Sequence, residues 1–144
     1  MTTTTSNAPA TVSWRNTGAA AGLGVIGGLI VNSLIAWAFR GLFDVPSEFN
    51  PLTFPAYGTL TVIGAIVGAI GWHVIAVRSR RATRLLAILV PVVVLLSFIP
   101  DVLLLGNDSQ PGTTTAGVIA LMLMHVGTAA AAVLAYRRFI PPQS

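Results

Sequence analysis

Four long apolar stretches, separated by short polar breaks, take up nearly the whole chain: Thr17–Phe39, Pro55–Val77, Leu85–Leu105 and Thr115–Tyr136. No Lys, Arg, Asp or Glu interrupts the first, second or fourth. A helix rising ~1.5 Å per residue crosses a ~30 Å hydrocarbon core in ~20 residues, so each stretch is long enough to span. None has the polar face that a helix of a water-soluble bundle needs. The pattern predicts an all-α integral membrane protein, a four-helix bundle. Residues 17–139 form its transmembrane domain, between a disordered tail over 1–16 and a short tail over 140–144.

The breaks carry turn chemistry. Gly41–Phe54 is the longest and holds Pro46 and Pro51, with Pro55 opening the second helix, where a missing N–H is tolerated. Ser79–Thr83 is tight and predicts a close hairpin of the second and third helices. Asn107–Gly112 is a turn cluster, and Pro141 and Pro142 stop the last helix. Short connections make sequential helices the default neighbours. The first apolar run exceeds the ~7–15 residues of a signal-peptide core, so it is expected to remain as a helix.

Composition agrees with this pattern. Hydrophobic residues are 54% of the 144 and charged residues 8%, against about 25% charged in a soluble domain. The net charge of +4 does not point to nucleic acid, because the arginines are sorted by loop. Arg15 precedes the first span, Arg78, Arg80, Arg81 and Arg84 lie around the second break, and Arg137 and Arg138 end the fourth span. Arg40 alone is on the other side, with Asp44, Glu48 and Asp108. Cationic loops are retained in the cytoplasm, so both termini are expected inside. All eight basic residues are Arg, a bias typical of GC-rich bacterial coding, which places the chain in a bacterial plasma membrane. Trp14, Trp37, Tyr57, Trp72 and Tyr136 fall near predicted interfaces, as an aromatic belt requires.

Absent cysteine excludes disulfides, thiolate catalysis and Cys-ligated metals. No catalytic constellation is present, and no enzyme, metal or cofactor is expected. Small residues four apart recur instead: Gly18, Gly22, Gly24 and Gly28 in the first span, Gly64 and Gly68 in the second, Gly127 and Ala131 in the fourth. Such pairs let helix backbones approach closely, within one chain or between chains.

Ionisable groups inside a bilayer cost ~2.5–3.5 kcal/mol at a helix centre and each demands a reason. Asp101 follows Pro100 about one turn before the third span ends, where a kink or break frees backbone groups. The simple expectation is an interfacial Asp just inside the outer headgroups. His125 lies ~15 Å into the fourth span, a depth that suits an interhelical hydrogen bond or a proton relay. Asn32 is a typical interhelical amide in the first span. By depth, Asp101, His125 and Asn32 form one candidate polar site in the outer half of the bundle. His73 is expected at the inner interface, touching headgroups. Asp44 and Glu48 are expected in a solvated acidic loop, and Met122 and Met124 in packing.

The strings Asn50-Pro51-Leu52-Thr53, Ser97-Phe98-Ile99-Pro100-Asp101 and Met122-Leu123-Met124-His125-Val126 resemble those of a family of small four-helix bacterial membrane proteins labelled only as a domain of unknown function. The resemblance implies four spans and bacterial origin, and brings no activity. Two functions are expected from the residues. The first is a non-enzymatic packing or accessory component in the lipid bilayer, a homo-oligomer or part of a larger membrane complex. The second is a small oligomeric transporter or proton-coupled permease using Asp101, His125 and Asn32. The second fails if Asp101→Asn and His125→Ala leave function and assembly intact.

Overall fold

The computed structural model describes residues 12–106 and 109–142. Its elements are α1 (Trp14–Leu42), α2 (Phe54–Arg78), α3 (Ala82–Leu103) and α4 (Thr115–Phe139), with single 3-10 turns at Asn50–Leu52 and Leu104–Gly106. Even α3, with 22 residues, reaches ~33 Å, and all four helices are long and apolar enough to cross a membrane.

Local chemistry sets the ends. Ser13 Oγ accepts from the Asn16 N–H at 3.2 Å, and Thr114 Oγ1 from the Gly117 N–H at 3.0 Å. These are N-caps, and the first starts α1 three residues inside the stretch expected as a tail. Residues 1–11 of that stretch lie outside the described residues. At the other end Ile140 is buried, and its carbonyl accepts from Trp72 Nε1 at 2.9 Å, so it belongs to the core and not to a tail. Residues 143–144 are outside the description. Helix α3 runs through both Pro91 and Pro100 without a break. A break in apolar surroundings orphans several backbone groups, whereas each proline removes one N–H.

The helices do not pack in sequence order. α1 packs most extensively on α4 and next on α2, while α3 rests on α4 and, less, on α2. The reason lies in side-chain size along α1 and α4. A Cβ on Gly24 would sit 3.4 Å from the Ala132 Cα, one on Gly27 3.1 Å from the Ala131 Cβ, and one on Gly127 2.5 Å from Val31 Cγ1. These contacts run antiparallel and bring the two backbones close. Helix α3 has no glycine within Ala82–Leu103 and stays outside. Only 6% of its most apolar window is buried, against 28–33% for the other three helices. Three helices make the core and the fourth leans on it.

Two apolar clusters fill the ends. At the terminal end Trp72, Tyr136, Leu86 and Ile140 close over Ala20, Ala69 and Ala132, with Val12 packed against them. Trp72 and Tyr136, expected at the interface, are core residues instead. Tyr136 Oη donates across the bundle to the Ala65 carbonyl, and Gly68 makes room for its ring. At the opposite end the long loop folds inward. Val45, Phe49 and Leu52 are buried with Tyr57, Leu121 and Met124, and the Phe49 ring lies against Gly117, where a Cβ would come within 2.9 Å. Asp44 and Glu48 stay exposed on the outside of this lid. Asp44 has a φ of 50°, a left-handed turn that Asp tolerates better than most residues.

Replacing Gly127 with Val is expected to cost ~1–3 kcal/mol, because the new methyls overlap Val31. Gly22→Ala, which meets nothing within 4 Å, is expected to change stability by less than ~0.5 kcal/mol. Equilibrium unfolding in mixed micelles measures both.

Candidate polar sites within the bundle

The first site grows from the close approach of α1, α2 and α4. Gly28 brings Thr61 of α2 and Thr128 of α4 against α1: a Cβ there would lie 2.8 Å from Thr61 Cγ2 and 3.5 Å from Thr128 Cγ2. One turn further along α1, Asn32 is buried and its Nδ2 donates to Thr61 Oγ1 at 2.8 Å and Thr128 Oγ1 at 2.9 Å. The Thr61 hydroxyl proton goes to the Tyr57 carbonyl at 2.7 Å, so its oxygen must accept from Asn32, which fixes the amide orientation. One side chain thereby ties three helices. Asn32 Oδ1 is buried without a hydrogen-bond partner, leaving one acceptor free at the centre of the bundle. Beside it, the Ser33 hydroxyl meets the Tyr57 hydroxyl at 3.1 Å.

The second site is a pair. Asp101 Oδ2 of α3 stands 3.0 Å from His125 Nε2 of α4. The two atoms are close enough to attract, but their directions are not those of a hydrogen bond. Asp101 is 7% exposed, whereas the His125 side chain is 38% exposed on the outer face of α4. The Phe98 ring, one turn before Asp101, lies 6.4 Å from the imidazole. The contact sets Asp101, in the last turn of α3, against His125, ten residues into α4. Helix α3 stops at Leu103, and the 3-10 turn Leu104–Gly106 follows it.

The expected three-residue site therefore divides. Asp101 and His125 meet on the α3–α4 seam, while Asn32 is committed to threonines between α1, α2 and α4. Thr61 and Thr128 went unread in the sequence. A hydroxyl in mid-span beside glycine-bearing seams was the available signal. His73 is another correction. It is buried, with Nδ1 2.7 Å from Thr17 Oγ1 and its ring stacked 4.0 Å from that of Trp14, so it joins α1 to α2 and does not face headgroups.

The small residues also divide. Gly24, Gly28, Gly68, Gly127 and Ala131 lie at contacts between helices. Gly18, Gly22 and Gly64 are exposed and have nothing within 4 Å of an added Cβ, so they serve no contact within the chain. Gly27 belongs to the α1–α4 seam although it is outside the four-residue spacing. Among the described residues no three His, Cys, Asp or Glu come together as metal ligands. Arg15, Arg78, Arg80, Arg81, Arg84, Arg137 and Arg138 are all exposed at the end of the bundle that carries the termini.

In a bilayer-embedded bundle, His125→Leu leaves the Asp101 carboxyl without its partner and is expected to destabilise by ~2.5–3.5 kcal/mol. Adding Asp101→Leu to it is expected to restore most of that loss, since an apolar pair of similar volume replaces an ion pair at little net cost. A double-mutant cycle on unfolding free energy checks the order of stabilities.

No curated protein and no solved structure matches this chain. A family model does match, over residues 9–141, which takes in all four helices, the lid and both polar sites. Its description is that of a family of unknown function. The chain belongs to that family, DUF6069.

Proposed function

We propose that the protein is a non-enzymatic component of a bacterial plasma membrane that works by packing with further copies of itself or with a larger membrane complex. The observation that carries this reading is the outward placement of Gly18 and Gly22 on α1 and of Gly64 and Gly71 on α2, all open to approach. Within the chain, equivalent glycines are used to bring backbones together. The outward ones offer the same close approach to a helix from another chain.

The start of α1, the end of α4 and seven of the eight arginines share one end, and the lid with Asp44 and Glu48 closes the other. With the arginine end retained inside, both termini are cytoplasmic. A proton-coupled permease receives less support from this geometry. Asn32 is already engaged by Thr61 and Thr128, and the Asp101–His125 pair lies on the seam of the outlying helix, not along a central path. The middle of the bundle is occupied by Ala65, Ala69, Tyr136 and the Asn32 cluster.

Gly22→Leu and Gly64→Leu together are expected to abolish the associated state in native mass spectrometry from membrane nanodiscs, with the unfolding free energy kept within ~0.5 kcal/mol. An associated state that survives both leucines rejects the glycine faces as the contact. Orientation is checked separately. The chain has no cysteine, so Ser79→Cys gives a single thiol, expected to react with an impermeant reagent in inside-out vesicles and not in intact cells.

A further inference from the structure

Because α3 has no glycine and leans on α4, the two helices part between their ends. Two adjoining cavities of about 230 and 300 Å³ lie along this seam, and both are lined by Val90, Pro91 and Val133, so they form one groove. Its mouth carries Thr83 and Arg137. Its far end is apolar, reaching Val126 and Ala130. Immediately beyond, the Phe98 ring lies 6.4 Å from the His125 imidazole and Asp101 Oδ2 3.0 Å from His125 Nε2, so α3 and α4 meet through these side chains past the groove's inner end.

The dimensions and charge select an occupant. From Arg137 to Val126 the groove follows α4 for 11 residues, or ~16 Å, which is the depth of one leaflet, half of a ~30 Å hydrocarbon core. A helix from another protein would run through both leaflets, whereas the lining of this groove stops about halfway along α4. An acyl chain enters from one surface and ends near the middle. At the mouth, Arg137 supplies a cation, and Arg84 and Arg138, near the start of α3 and the end of α4, are exposed as well. We propose that the α3–α4 groove is a binding site for one anionic phospholipid, its acyl chain along Val90, Pro91 and Val133 and its headgroup phosphate at Arg137. The site is separate from the glycine faces of α1 and α2, so it stands or falls independently of the packing role.

The test is native mass spectrometry of the full chain released from nanodiscs of equimolar phosphatidylglycerol and phosphatidylethanolamine. The wild-type chain is expected to retain one phosphatidylglycerol in preference to phosphatidylethanolamine. Arg137→Gln is expected to lower that preference about fivefold, the worth of one basic residue at an anionic surface. Ala130→Phe fills the groove from an exposed position and is expected to remove the retained lipid of either kind, with Val126→Phe as the second filling variant should the first not fold. Circular dichroism establishes that each variant is folded. Equal retention of the two lipids by the wild type, or lipid retained undiminished by a folded filling variant, overturns the proposal. So does a second protein chain held by the wild type in place of lipid and lost on filling the groove.

Discussion

The close approach of α1 and α4 is the constraint on which the rest of the molecule depends. Where the surroundings are as apolar as the side chains, burial of Leu or Val gives helices no reason to associate, and contact density and hydrogen bonds must hold them. Gly24, Gly27 and Gly28 on one helix and Gly127, Ala131 and Ala132 on the other remove the side chains that would keep the backbones apart. At that separation the short Asn32 side chain reaches Thr128 and Thr61 together. Tyr136 likewise reaches the Ala65 carbonyl because Gly68 leaves space for its ring. The polar contacts are thus products of small residues, and enlarging the seam removes both kinds of interaction at once.

Helix α3 shows what happens without that device. Its Leu, Ile and Val side chains are the most apolar in the chain and the least buried. It is held at its start by the short loop from α2 and by Leu86, and near its end by Asp101 against His125. Between those points a groove lined by Val90, Pro91 and Val133 runs between it and α4. An ion pair in this position holds a seam that packing alone leaves loose. It contributes direction and register more than net stability, as is usual when desolvation offsets attraction.

The long loop between α1 and α2 gives the bundle a closed end. Its exposed Asp44 and Glu48 alternate with buried Val45 and Phe49, so the acidic side chains stay in solvent while the residues beside them fill the end of the bundle. Arg40 reaches from the last turn of α1 to the Phe49 carbonyl at 3.4 Å, which ties the lid to the helix it leaves. The fully buried Phe49 depends on Gly117 and Gly112 being bare, since a Cβ on either would press into this segment. The opposite end carries seven of the eight arginines, and the molecule is polarised along its length.

The sequence by itself determined the number and type of elements, because helix length, apolar continuity and turn residues act locally and leave their mark on consecutive positions. It also marked Asp101, His125 and Asn32 as residues needing a partner, since an ionisable or amide group within an apolar run carries a cost that the run cannot meet. Which partner each one found was decided only in three dimensions. Periodicity ranks the faces of one helix but says nothing about the neighbour across the gap. Asn32 therefore went to two threonines and not to Asp101, and Trp72, Tyr136 and His73 turned inward where their positions near helix ends suggested an interface. Glycine spacing was equally silent on direction. Gly18 and Gly28 are alike as residues, yet one faces open space and the other meets two helices, because the tertiary packing of α1 chose which stripe to bury.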